Sequence, residues 1–93
     1  MTTEHYRGIF KTIEECGELL QELGKRLVRP TTEHWDEQEK GSLDQRIENE
    51  MGDVLAAIRY LASHEPRLDA RRIEARACLK FQTFVDWELS GIP

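Results

Sequence analysis

The sequence predicts an all-α fold: a helical bundle of three long helices, with a short fourth as an option, completed by dimerisation. Apolar residues recur three and four positions apart in three segments, turn signals separate the segments, and no segment alternates in the strand pattern. The 93 residues fit a single domain, residues 1–93, with a thin core. Because helical chains of this size often gain stability by oligomerising, we expect a homodimer or a dimer of dimers.

The first helix is predicted from an apolar stripe. The stripe consists of Tyr6, Ile9, Ile13, Cys16, Leu20, Leu23 and Leu27. Thr2 or Thr3 can cap this helix, and Pro30 ends it because proline disfavours helical geometry in the preceding residue. Residues 31–41 are polar and have no clear period, so we expect a loop or one short helix there.

The second and third helices are predicted from capping and turn signals. Ser42 and Gln45 have the spacing of a capping box, and the second helix then continues to a break at residues 63–66. The third helix is expected to begin near Asp69 and to continue until residues 90–91. Its aromatic residues Phe84 and Trp87 are expected in the core or in a subunit contact.

Composition and charge narrow the function classes. A net charge of −5 and a pI of about 5.2 argue against binding to a nucleic acid polymer. The longest apolar run, residues 54–58, is far shorter than the ~20 residues of a membrane span, so no membrane association is expected. Cys16 and Cys78 fall among apolar helical positions and are predicted to be buried free thiols of a cytoplasmic protein.

Two short acidic clusters share the pattern acid, any residue, glycine, acid. They are residues 14–18 (Glu-Glu-Cys-Gly-Glu) and residues 50–53 (Glu-Met-Gly-Asp). Because positions i and i+3 are neighbours on a helix, each cluster directs two carboxylates the same way. A glycine inside a helix costs about 1 kcal/mol relative to alanine. Gly17 and Gly52 therefore indicate that room is needed next to the backbone at both places.

Two interpretations of these acids are open. They are either a solvated helix face, as most helix-surface carboxylates are, or the lining of a cleft. In the first helix, Glu15 and Glu18 lie roughly opposite the apolar stripe. A cleft therefore requires that this helix be sandwiched between the core and another helix or subunit. The recurrence of both the spacing and the glycine favours the cleft.

The carboxylate oxygens of these acids indicate which metal ion the cleft would bind. Converging carboxylates repel one another unless a cation compensates their charge. Mg²⁺ prefers oxygen ligands and substrate phosphates, whereas zinc or iron would call for histidine or cysteine at ligand spacing. Mg²⁺, with Mn²⁺ as a substitute, would bridge a polyphosphate and activate water for in-line attack. The candidate metal ligands are Glu15, Glu18, Glu50 and Asp53.

The paired motifs resemble those of the MazG-like all-α nucleoside triphosphate pyrophosphohydrolases. Residues 14–20 match the first motif of these enzymes and residues 50–55 match the second. Members of the family hydrolyse a nucleoside triphosphate to the monophosphate and pyrophosphate with Mg²⁺. The resemblance assigns catalytic metal binding to Glu15, Glu18, Glu50 and Asp53. It implies a weaker role for Glu14, in supporting the metal shell or orienting the attacking water.

Further residues are candidates for binding the nucleotide, although each is also explained as an ordinary surface or core residue. They are Lys25, Trp35, Asn49, Arg72, Arg76 and Lys80. The last three step by four along the third helix and form a basic row suited to phosphate oxygens. Trp35, in the irregular segment, is suited to stacking on a base.

The leading hypothesis is therefore Mg²⁺-dependent hydrolysis of NTPs or dNTPs to the monophosphate and pyrophosphate. The alternative is a non-catalytic protein of the same fold that binds a metal-nucleotide or has a regulatory role. A third interpretation is a structural helical oligomer whose acids face solvent. Base and sugar preference are left open by the sequence.

Overall fold

The computed structural model describes residues 3–28 and 42–91, which form three helices. These are α1 (Thr3–Val28), α2 (Leu43–His64) and α3 (Ala70–Leu89). Neither described range contains a strand, which confirms the predicted all-α class. Residues 31–41, the predicted place of a short fourth helix, lie outside the described residues. None of the described helices combines the length and apolar character needed to cross a membrane.

Local side-chain signals set the ends of α2 and α3 as predicted. The Ser42 hydroxyl accepts a hydrogen bond from the Gln45 N–H (3.2 Å), and the Ser42 N–H donates to the Gln45 side chain (3.0 Å). At the start of α3, the Asp69 carboxylate accepts from the N–H of Arg71 at 2.8 Å. α3 ends at Leu89, and Gly91, two residues beyond this end, has a φ of 79°, which favours a residue without a side chain.

α1 and α2 pack side by side in antiparallel orientation. Near one end, a Cβ atom at Gly8 would lie 3.0 Å from the Cα of Leu61, so only glycine allows this approach without a shift. One turn further along α1, the Thr12 hydroxyl donates to the Gly8 carbonyl (2.7 Å) and lies 3.4 Å from the Ala57 carbonyl. Residues with higher numbers on α1 therefore contact residues with lower numbers on α2, as expected for antiparallel helices.

The face of α1 that α2 covers is not the apolar stripe. Along the stripe, Tyr6 is 36% exposed, Ile13 64% and Leu27 87%. The covered face is the one that carries Gly8 and Thr12, and it continues into the acidic residues of α1. The acids thus face α2, as the cleft interpretation requires, and they are not an isolated solvated face.

α3 follows a short turn and, among the described helices, packs mainly against the C-terminal part of α2. A cavity of about 130 Å³ lies in this corner, between Ile58 and Ala62 of α2 and Ile73 of α3. Further along α3, Phe84 is 55% exposed and Trp87 39% exposed. The prediction of a core position for these aromatic residues is therefore wrong within one chain, because no other described helix reaches them; a subunit contact stays a prediction.

The two cysteines are free, as predicted, but they are exposed. Cys16 belongs to the uncovered stripe of α1. Cys78 lies on the part of α3 that extends away from α2. The prediction that both thiols are buried is therefore wrong for the single chain, because the apolar positions around them are not covered by the described helices.

The molecule is thin and has little core of its own. Its principal extents are 46 × 40 × 15 Å and its radius of gyration is 16.4 Å, whereas a compact domain of this length would have ~12 Å. The buried positions within the described ranges are Gly8, Leu43, Arg46 and Ala57. Most large apolar side chains of the described helices consequently remain accessible in a single copy.

Candidate metal centre

Three carboxylates meet where α1 and α2 run side by side. Glu15 of α1, Glu50 of α2 and Asp53 of α2 each bring one oxygen within 4.8 Å of the others. Because Glu50 and Asp53 are three residues apart, one turn of α2 presents both carboxylates to Glu15. These residues can therefore offer ligands to one shared cation.

Glu18 joins this group through Glu50. The two carboxyl groups share a side-chain hydrogen bond, and the negative charge of Glu18 acts on both Glu50 and Glu15. A hydrogen bond between two carboxyl groups requires a proton on one of them. We call these four residues the acidic centre: Glu15, Glu18, Glu50 and Asp53. Three of the four predicted metal ligands thus bring oxygens within common reach, and Glu18 adjoins them through Glu50.

Glu14 lies apart from the acidic centre. Its carboxylate is 3.7 Å from Lys11 Nζ on the same helix, and its side chain is 57% exposed. It acts on Glu15 only through its charge. The structure thus places Glu14 beside the centre, in a surface ion pair.

The acidic centre is electrostatically strained without a cation. Burial is the largest cause that raises the pKa of Glu15 above its ordinary value, followed by the charges of Glu18 and Asp53. Burial also comes first in raising the pKa of Glu50, followed by the charge of Glu18 and the hydrogen bond with it. One carboxylate oxygen each of Glu15 and Glu50 is buried with no hydrogen-bond partner among the described residues.

These features fit a magnesium ion. The donors are all carboxylate oxygens, which hard divalent cations prefer, and two of them have unused lone pairs in a buried position. Asp53 is exposed, so the group opens toward solvent and leaves room for water and phosphate ligands. A Cβ atom at Gly17 or Gly52 would meet nothing within 4 Å, so space next to both glycines is free.

One helical turn further along the α1–α2 contact, acidic and basic side chains form ion pairs between and along the two helices. Glu22 Oε2 lies 3.5 Å from Nε of the buried Arg46, and Lys25 Nζ lies 3.1 Å from Glu22 Oε1. Arg26 pairs with Asp44 at the same end. Glu22 and Arg46 are not among the residues predicted from the sequence to belong to the site. Their spacing was a usable signal, because Glu22 follows Glu18 by four residues and Arg46 precedes Glu50 by four.

The predicted nucleotide-binding residues do not form one group. Lys25 is engaged with Glu22, near the acidic centre, and Asn49 is exposed on α2 beside Glu50. Trp35 lies outside the described residues.

The basic row of α3 is divided between two places. Arg72 and Arg76 line an open cleft formed by the turn before α3 and the first turns of α3, and no member of the acidic centre lines it. Lys80 Nζ lies 5.9 Å from the ring centroid of Phe84 and 5.8 Å from that of Trp87. The three basic residues therefore have different surroundings within one chain, and their binding of phosphate stays a prediction.

Comparison with known protein families agrees with this arrangement. The model of the MazG nucleotide pyrophosphohydrolase domain matches residues 4–84, which include all three helices' packed parts and the whole acidic centre. No curated protein and no solved structure gives a significant match to the chain. The matched region covers most of the sequence, and on this basis the chain belongs to the family of MazG nucleotide pyrophosphohydrolase domains.

Proposed function

We propose that the chain hydrolyses nucleoside triphosphates, NTPs or dNTPs, to the monophosphate and pyrophosphate in a Mg²⁺-dependent reaction, with Mn²⁺ as a substitute ion. The observation that carries this proposal is the convergence of three carboxylates from two helices, with Glu18 beside them and buried oxygens left unpaired, in a chain of the MazG family. A solvated helix face would have no reason to hold such oxygens out of water.

The acidic centre is proposed to hold the metal through Glu15, Glu18, Glu50 and Asp53. When bound, Mg²⁺ would neutralise polyphosphate charge and make water a better nucleophile. Water attacks the α- or the β-phosphorus, and in either route the α–β anhydride bond breaks and the attacking water loses a proton. If water attacks the α-phosphorus, pyrophosphate is the leaving group; if it attacks the β-phosphorus, the nucleoside monophosphate leaves and the new P–O bond is in pyrophosphate. The carboxylates fix where this polyphosphate lies, and the exposed side of Asp53 is the side from which it enters.

Neighbouring residues receive weaker proposals. Lys25 is a candidate for a phosphate oxygen, because it lies on the same contact as the acidic centre. Asn49 is a candidate for the sugar or base, because it is exposed beside Glu50. Trp35, Lys80 and Glu14 keep their roles as predictions from the sequence alone.

We further propose that the chain works as a homodimer or dimer of dimers, with the site near a subunit boundary. The support is the uncovered stripe of α1 together with the thin shape of one copy. A second copy carries the same stripe, so both apolar faces are covered at once by symmetric pairing. A cytoplasmic location stays part of the proposal and fits the two free thiols.

The decisive experiment measures pyrophosphate release from a panel of NTPs and dNTPs with Mg²⁺, with Mn²⁺ and with EDTA. Glu50→Gln and Asp53→Asn keep the side-chain shape but remove a negative charge. We expect each to lower turnover by about 10²-fold or more, while the metal-free melting temperature holds or rises because repulsion is relieved. Mg²⁺ should raise the melting temperature of the wild type but not that of the variants.

Glu48→Gln is the matched control, because Glu48 is an exposed acid of α2 outside the acidic centre. It should retain both turnover and the Mg²⁺-dependent melting shift. If the wild type shows the melting shift but releases pyrophosphate from no nucleotide, the non-catalytic alternative replaces the proposal. If Glu50→Gln keeps full activity, the acidic centre is not the catalytic site.

A further inference from the structure

We propose that an open cleft of arginines, formed by the turn before α3 and the first two turns of α3, is a second anion site for the phosphate groups of a ligand other than the one at the acidic centre. The cleft has a volume of about 500 Å³. Its lining consists of Arg67, Leu68, Asp69, Arg72, Ile73 and Arg76. Guanidinium groups from the turn and from α3 therefore share one space with two aliphatic side chains.

The charge in this cleft is poorly compensated. Asp69 is its only carboxylate, and that carboxylate already accepts hydrogen bonds from the backbone at the start of α3. It lies 3.8 Å from Arg72 Nε. Arg67 and Arg76 form no ion pair with a residue in the described ranges. The chain as a whole has a net charge of −5, but the one acidic residue of the cleft does not neutralise its arginines.

The geometry suits phosphate. A guanidinium group presents paired N–H donors that match two phosphate oxygens, and several guanidiniums can hold a chain of phosphates. Arg72 and Arg76 are four residues apart and share a face of α3, while Arg67 approaches from the preceding turn. The Arg72 side chain is 77% exposed, so an incoming anion can reach it.

The cleft is separate from the acidic centre within the chain. No acidic-centre residue lines it, and the part of α2 that follows Asp53 adds about 16 Å of helix before the corner. Arg72 and Arg76, predicted from the sequence to bind the substrate, are therefore assigned to a different ligand. Leu68 and Ile73 can contact an apolar part of that ligand, such as the base of a nucleotide.

The test is a binding titration in EDTA, so that no metal ion contributes. The two probes are inorganic tripolyphosphate and a nucleoside triphosphate with a non-hydrolysable α,β-methylene bridge. We expect both to bind the wild type, and the double variant Arg72→Gln/Arg76→Gln to weaken both by at least about tenfold. Tighter binding of the nucleotide identifies a nucleotide ligand, whereas equal affinity identifies the phosphate chain alone as the recognised group.

Arg71→Gln is the matched control, because Arg71 is a neighbouring exposed arginine of α3 that does not line the cleft. It removes the same charge and should change affinity by less than about twofold. Equal weakening by Arg71→Gln, or no binding by the wild type, overturns the proposal. Glu50→Gln should leave tripolyphosphate binding unchanged, and a loss there would mean that the two sites are one. Absence of pyrophosphate release with intact binding would defeat only the proposed hydrolysis.

Discussion

At the residue scale, part of the acidic centre follows from the spacing of acids within one helix, and the rest follows from the packing of α1 against α2. Glu50 and Asp53 were predictable as a pair because their three-residue spacing is a local property of one helix. Their meeting with Glu15 depends on how α1 aligns with α2, which local spacing does not encode. The four-residue spacing between Arg46 and Glu50 could have placed Arg46 on the same helix face, but its ion pair with Glu22 depends on the packing of the two helices.

A pH dependence of stability follows from Glu15 and Glu50. Their pKa values are raised above the ordinary 4.5 in the folded chain, mainly by burial. The folded state therefore binds more protons than the unfolded state between pH 4.5 and the raised values, so unfolding free energy falls as pH rises through that window. In EDTA, we expect the melting temperature to increase when pH is lowered from neutral into the window.

The double variant Glu15→Gln/Glu50→Gln is the control for this pH profile. Because both titrating carboxyls are gone, its melting temperature should no longer increase on mild acidification. Mg²⁺ should also flatten the wild-type profile, since a bound cation favours the ionised carboxylates. A wild-type profile in EDTA that only falls on acidification would contradict raised pKa values in the acidic centre.

At the element scale, helix ends were easier to predict than helix faces. Ser42 and Asp69 cap their helices through atoms only two or three residues away, so the sequence contains the whole interaction. The choice of face on α1 is different, because two faces of this helix are suited to burial. α2 takes the face with Gly8 because glycine lets the two backbones approach closely. No periodicity of apolar residues marks that position.

Two glycines of α1 should respond oppositely to alanine. At Gly8 the added Cβ would lie 3.0 Å from the Cα of Leu61, which is backbone and cannot rotate away. Gly8→Ala should therefore lower the unfolding free energy by about 1–3 kcal/mol. At Gly24 nothing lies within 4 Å, so Gly24→Ala should raise it by up to about 1 kcal/mol through helix propensity. Urea unfolding midpoints measure both changes, and a gain at Gly8 would show that the helices are not in close contact there.

At the scale of the whole molecule, one copy is a layer 15 Å thick along its shortest axis, which is close to the diameter of a helix. Such a layer cannot enclose a core, because every helix has at least one face without a neighbour. The apolar stripes of the sequence predict a partner subunit, and this partner stays a prediction. The sequence did not predict that the stripe of α1 would be the uncovered face, since that follows from the α1–α2 contact.

Adding a charge to the uncovered stripe should therefore disrupt the proposed oligomer. Ile13 is 64% exposed and Leu20 69% exposed in one copy. Burying an aspartate at either position in a subunit interface would leave an unpaired charge, so Ile13→Asp or Leu20→Asp should shift the chain to monomer. Light scattering coupled to size-exclusion chromatography measures the mass. Gln21→Asp, on an exposed side of α1 away from the stripe, should stay oligomeric, and a monomeric wild type would refute the homo-oligomer.

Because the ion site depends on the antiparallel alignment of α1 and α2, a match to the acidic motif does not by itself guarantee that the site is formed. Gly8 opposite Leu61 fixes the alignment, and Glu15 reaches the α2 acids only because seven positions separate it from that glycine. One residue inserted between Thr12 and Glu15 would rotate the following carboxylates by about 100° and preserve every letter of the acidic motif. A homologue with such an insertion would keep the family signature and lose the ion-binding geometry, so the interval between the glycine and the acids is part of what specifies the site.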